Sequence, residues 1–168
     1  MKTLTTLNKT IMANMNNIGL DVNASQTTAK ELNDLLSNYQ MFYMNLRGFH
    51  WNIKGRKFFE LHVKFEELYN DALIKVDEIA ERVLTLSVIP VHTFSKYIEV
   101  SEIKAKENVT DGEEAITSVL EALTILLSKE RAILAIAGDA NDEGTAALMS
   151  DYIVQQEKLV WMLSAYQN

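Results

Sequence analysis

No cysteine occurs in the chain. That excludes disulfides, thiolate zinc sites and cysteine-held iron–sulfur clusters, and leaves no mark of an oxidising compartment. One proline and six glycines are too few for a fold of many turns and suit long uninterrupted helices. No apolar run approaches the roughly 18 residues that a membrane helix needs, so no membrane partner is expected. The opening stretch MKTLTTLNKTIMANMNNIGLD is interrupted throughout by Asn, Thr and Lys and is not expected to act as a signal peptide; the cytoplasm is the expected compartment. There is no Gly-x-Ser-x-Gly elbow and no phosphate-cradling glycine loop. Positive charge is also scarce: 16 Lys and Arg against 23 Asp and Glu give a formal charge of −7. This argues against a general nucleic-acid binder, whose affinity rests on cations meeting phosphate, and is compatible with attraction of metal cations.

What remains is a helical pattern. The 168 residues, 48% hydrophobic and 23% charged, suffice for one globular domain with a real core. Residues 1–22 show weak periodicity and read as a tail or short helix; residues 23–168 read as the domain. A first helix is predicted from about Ala24 to Asn52, with Leu32, Leu35, Leu36, Tyr39, Phe42, Tyr43 and Leu46 at helical spacing, capped by Asn23 or Ser25 and ended by Gly55. A second runs from about Lys57 to Ser87, with a stripe that includes Phe65, Leu68, Tyr69, Leu73, Ile79 and Leu84, and is stopped by Pro90. A mixed segment, 91–110, has room for a short helix within VHTFSKYIEVS. A third helix begins at Thr110 or Asp111 and ends at Gly138, and a fourth spans about Thr145 to Tyr166. Two helical pairs joined by a long crossover describe an all-α fold, a four-helix bundle of ferritin-like connectivity with a short helix in the crossover between helices two and three.

The residues that carry chemistry cluster on the second helix. His62 and Glu66 are four apart, as are Asp77 and Glu81. All four fall within an arc of roughly 100°, yet Glu66 and Asp77 lie ~16 Å apart along the axis, too far to share one ion. The stretch therefore carries either two unrelated pairs or one site split between two chains. The midpoint of 62 and 81 and that of 66 and 77 coincide between Asp71 and Ala72. A twofold axis there would set His62 against Glu81 of a second copy and Glu66 against Asp77, giving two equal sites. His50, near the end of the first helix, would join the first half. Imidazole with carboxylate suits ferrous iron, zinc or manganese. No Glu-x-x-His motif occurs, which disfavours a di-iron centre built within one bundle.

NIGL at 17–20, FHWNIKG at 49–55, FFELHVKFEELY at 58–69, VDEIAERV at 76–83 and QEKLVWML at 156–163 together resemble the Dps family, the mini-ferritins, over about residues 17–166. The resemblance implies a hollow dodecamer whose ferroxidase sites lie between subunits at twofold interfaces. It implies His50, His62 and Glu66 as metal ligands from one subunit and Asp77 and Glu81 from the other. Glu66 departs from the aspartate usual in the family. Trp51 matches a tryptophan beside the site that takes up oxidising equivalents, with core packing as the competing role; Trp161 is read as packing. The implied activity is oxidation of ferrous iron at a mononuclear or dinuclear iron centre, with hydrogen peroxide preferred over dioxygen, and storage of the ferric mineral. Asp139, Asp142 and Glu143 are candidates for an acidic pore, with helix capping as the alternative. Some members coat DNA through lysine-rich tails. Residues 1–22 hold only Lys2 and Lys9, so direct DNA binding is expected to be weak or absent, and a DNA-coating nucleoid protein is the alternative function.

Overall fold

The computed structural model describes residues 14–167; most of the expected N-terminal tail, residues 1–13, lies outside them. The described residues form α1 (Val22–Asn52), α2 (Phe58–Thr85), α3 (Phe94–Val100), α4 (Gly112–Asp139) and α5 (Glu143–Gln167), with no strand beyond an isolated bridge between Met15 and Asp21. This is the all-α architecture expected, with α3 as the short crossover helix. None of these helices is long and apolar enough to cross a membrane. α1 packs on α2, α4 on α5, and α1 on α4. Leu32, Leu35, Tyr39 and Leu46 of α1 meet Phe65 and Ile79 of α2, Ile116, Leu123 and Leu126 of α4, and Met149 of α5 in one core. Each such fully buried apolar side chain contributes about 1.5–3 kcal/mol.

The helix ends differ from the expected ones for identifiable reasons. Asp21, not Asn23 or Ser25, caps α1, accepting from the backbone N–H groups of Asn23 and Ala24. α2 stops at Thr85, well before Pro90, because Ser87 turns left-handed at φ 66°. Its N–H bonds the Leu84 carbonyl, and the Val88 N–H bonds that of Val83. That is the Schellman arrangement, with serine where glycine usually stands. α4 ends the same way at Asn141 (φ 53°), through Asn141 to Gly138 and Asp142 to Ala137, so Gly138 lies inside the helix. Gly55 (φ 101°) shapes the turn after α1, which has already ended at Asn52.

The crossover is tied to α1 by three asparagines. Asn33 accepts from the Val91 N–H, Asn38 from the N–H groups of Glu102 and Ile103, and Asn45 from that of Lys106 while donating to the Lys104 carbonyl. These side chains satisfy backbone groups that an irregular segment cannot pair by itself.

The bundle interior also holds a polar cluster. Glu130 of α4, fully buried, accepts from the Tyr39 hydroxyl at 2.7 Å and from the Gln156 amide, which also donates to Tyr39. Glu130 Oε2 and Gln156 Oε1 have no hydrogen-bond partner. Burial pushes the Glu130 carboxyl above its ordinary value, against the lowering effect of its two donors and of Lys75. The folded chain therefore holds this proton more tightly than the unfolded chain. The resulting stabilisation is complete below the ordinary carboxylate pKa and is lost as pH rises through the raised folded value. We expect wild type to lose stability relative to Glu130→Gln over that rise in denaturant titrations. Parallel pH profiles for the two proteins would contradict this.

Candidate metal centre

The tight turn between α1 and α2 sets the last turn of one helix against the first turn of the next. His50 and His62 meet there with ring centroids 3.8 Å apart and planes 20° from parallel. Each ring bonds the other residue's backbone: His50 Nδ1 lies 2.8 Å from the His62 carbonyl oxygen, and His62 Nδ1 lies 2.8 Å from that of His50. A carbonyl only accepts, so both Nδ1 atoms carry hydrogen, and each neutral ring keeps its lone pair on Nε2. The His50 carbonyl is free to accept because its helical partner is diverted: the Lys54 N–H bonds Thr110 instead, at 2.9 Å. Phe58 stacks on the outer face of His62 at 5.0 Å. The stack fixes both ring planes, and a backbone bond that sets tautomer and orientation is the usual second partner of a metal-binding imidazole.

The carboxylates are less confined. Glu66, Asp77 and Glu81 are exposed on α2. The Glu66 side chain receives one long hydrogen bond, from the Tyr69 hydroxyl at 3.4 Å. Among the described residues of one chain, no three His, Asp or Glu side chains converge closely enough to hold a metal ion. The structure thus brings His50 and His62 together, with Glu66 one turn further along α2. It leaves Asp77 and Glu81 apart from them on the same helix.

The face of α2 that bears these carboxylates is not an ordinary solvated one. Phe59, Val63, Leu73 and Leu84 fall within the same arc, and all are exposed, Phe59 at 83%. Leu73 and Leu84, expected in the core stripe, lie instead on this outer face. Trp51 is not a core aromatic either: it is 55% exposed, and the Arg47 guanidinium lies 4.6 Å from its ring centroid. Trp161, expected to pack, is 67% exposed in the single chain.

Two aromatic residues near the histidines were assigned from the sequence only to apolar stripes. Tyr69 stands edge-on to the His50 ring at 5.4 Å and to Tyr43 at 6.2 Å. Loss of hydration, and then the Glu66 carboxylate, push its phenol above the usual tyrosine value. The signal was present in the spacing, since Tyr69 follows Glu66 by three residues and His62 by seven. Of the acidic pore candidates, Asp142 is 2% exposed and pairs with Arg82. It also accepts from the Thr145 N–H and hydroxyl at the start of α5. That is a capping role, and its burial withdraws it from any pore lining. Asp139 and Glu143 are exposed.

A profile of the ferritin-like domain matches residues 29–168. An uncharacterized protein of Haemophilus influenzae is 53% identical over 148 residues, 88% of this chain and 92% of that one. A DNA protection during starvation protein of Porphyromonas gingivalis is 45% identical, with 88% and 93% covered. Among solved structures, the Dps protein of Vibrio cholerae O1, described as one of a broad superfamily of ferritin-like diiron-carboxylate proteins, superposes with a TM-score of 0.91 at 54% identity, covering 92% of this chain and 98% of that one.

The two imidazole tautomers are directly measurable. In 15N-histidine spectra of the metal-free protein, His50 and His62 are expected to show protonated Nδ1 and bare Nε2 wherever the rings are neutral. A dominant Nε2–H form at either residue would contradict the reciprocal bonds.

Proposed function

The chain belongs to the Dps family of ferritin-like proteins, and from that membership we propose that it is an iron-oxidising and iron-storing mini-ferritin whose metal centres are shared between two subunits. The observation that carries this reading is the pair of imidazoles locked with both Nε2 atoms free, beside a carboxylate-bearing helix face too apolar to be left in water. A second copy laid antiparallel across that face, about an axis between Asp71 and Ala72, covers Phe59, Val63, Leu73 and Leu84. It also carries Asp77 and Glu81 toward the histidines of the first copy, and the operation makes two such sites per dimer.

In this reading His50, His62 and Glu66 of one subunit and Asp77 and Glu81 of the other bind the substrate iron. Neutral imidazole nitrogen retains ferrous iron, and carboxylate oxygen favours the harder ferric product. Hydrogen peroxide is the preferred oxidant: two ferrous ions supply the two electrons that break its O–O bond, so both oxygens end at the level of water. The ferric product is stored in the cavity of a dodecamer built from such dimers. DNA is protected by removal of iron and peroxide. At −7 per chain an assembled shell repels phosphate at ordinary salt, and gel shifts are expected to show no retained DNA at moderate ionic strength; tight complexes there would favour the DNA-coating alternative.

Subunit mixing tests the divided site. His62→Ala and Asp77→Ala are each expected to lower peroxide-dependent iron oxidation at least tenfold, since each removes a ligand. Co-assembled from the two variants, a hybrid dimer holds one intact site and one doubly damaged site, so activity returns. Centres built within single chains would give no recovery on mixing.

A further inference from the structure

The polar cluster inside the bundle leaves two oxygens without a hydrogen. Glu130 of α4 is 0% exposed, Tyr39 of α1 1% and Gln156 of α5 4%. Three hydrogen bonds join them. Gln156 Nε2 donates to the Tyr39 hydroxyl at 2.6 Å and also to Glu130 Oε1, and the Tyr39 hydroxyl donates to the same Oε1. The donor hydrogens of these side chains are thereby spent. Glu130 Oε2 and Gln156 Oε1 remain, both buried and both without a partner. Buried acceptors are almost always paired, and these two belong to side chains already in contact.

No cation bonds this carboxyl, and both of its donors are neutral. Lys75 of α2 and Arg131 of α4 reach it only through their fields. The Lys75 ammonium is held elsewhere, by Asp71 Oδ1 at 2.6 Å and Gln155 Oε1 at 2.9 Å, and lies 5.1 Å from the centroid of the Tyr152 ring. Tyr152 of α5 gives its hydroxyl to Glu78, and Arg131 turns outward to Glu157. An ionised Glu130 would keep a buried charge and one bare oxygen in this setting, which is costly. Burial pushes its carboxyl up accordingly. The same loss of hydration pushes up the Tyr39 and Tyr152 phenols, so Glu130 gives up a proton well before either of them.

We propose that Glu130 carries a proton on Oε2 and donates it to Gln156 Oε1, so that acid and amide form a closed pair that latches α4 to α5 and opens when the proton is lost. One hydrogen then satisfies both oxygens. The other half of the pair is the bond from Gln156 Nε2 to Glu130 Oε1, and Tyr39 extends the latch to α1. Ionisation leaves Oε2 and Gln156 Oε1 as two acceptors with no hydrogen to share, and a charge with no cation bonded to it. The latch is therefore firmest at low pH, the reverse of an ordinary ion pair, which acid breaks. Glu130→Gln keeps the shape, because a second amide donates N–H where the acid donated O–H. It also removes the titration, so the latch stays closed.

Infrared spectroscopy on the full chain reads this proton directly. Wild type is expected to show the C=O stretch of a protonated carboxyl that shifts in heavy water and on 13C labelling of glutamate. The band is expected to fade as pH rises while circular dichroism shows the helices retained, and to be missing from Glu130→Gln. Gln156→Leu, confirmed as folded, is expected to keep the acid but move its band to the higher frequency of an unbonded carboxyl. Backbone hydrogen exchange around residues 130 and 156, corrected for the intrinsic effect of pH, is expected to quicken several-fold in wild type over the same rise and not in Glu130→Gln. A glutamate carboxyl band absent throughout the folded range overturns the proposal, and so does one unmoved in Gln156→Leu. Stability that follows added potassium or magnesium instead of pH gives the two oxygens to a metal cation and overturns it as well.

Discussion

Two imidazoles hold each other's main-chain carbonyls across the turn between α1 and α2, and the chemistry available to the molecule depends on that exchange. A helix ends with carbonyls that lack intrahelical partners. At His50 the vacancy is enforced, because Lys54 gives its N–H to Thr110, and His62 fills it. The bond therefore serves two purposes at once. It satisfies a helix end and leaves the ring with only one nitrogen to offer. A tyrosine or lysine could close the helix as well, but neither would leave a directed, neutral nitrogen ligand behind.

Polar groups are treated differently inside and outside the bundle. Inside, Glu130 is bonded by Tyr39 and Gln156, and the buried Lys75 bonds Asp71 and Gln155. Asp142 is bound by Arg82 and by the helix it caps. Outside, Glu66, Asp77 and Glu81 stand among apolar side chains with little to hold them. Carboxylates left weakly bonded on the surface remain accessible to a cation, whereas those buried beside Tyr39 or paired with Arg82 do not. The same distinction separates Asp142, tied up by Arg82 and its helix cap, from the exposed acids of α2.

Much of this was legible in the sequence because it depends on periodicity. Helical spacing gives the four long helices, and the ligand-like positions 62, 66, 77 and 81 share a face by arithmetic alone. The helix ends were less legible. Glycine and proline are the usual punctuation, but here Ser87 and Asn141 take the left-handed conformation, while Gly138 stays helical. Leu73 and Leu84 were misassigned because periodicity identifies an apolar position without saying whether its own core or another surface covers it. The asparagines 33, 38 and 45 read as polar interruptions, since nothing local reveals that a distant crossover needs their hydrogen bonds. The exchange between His50 and His62 was invisible for the same reason: it requires the turn geometry, which no spacing rule encodes.

The bond from Lys54 to Thr110 also bears on how the chain is made. Synthesis delivers the N-terminal half first, so His50, His62 and all of α2 leave the ribosome before Thr110 exists. Until Thr110 arrives, the Lys54 N–H has the His50 carbonyl as its natural helical acceptor and competes with the His62 ring for it. The contact that draws the Lys54 N–H away from that acceptor is therefore completed only in a chain grown past the crossover. A nascent chain that has not reached Thr110 carries His50 and His62 in a turn that this bond has not yet fastened.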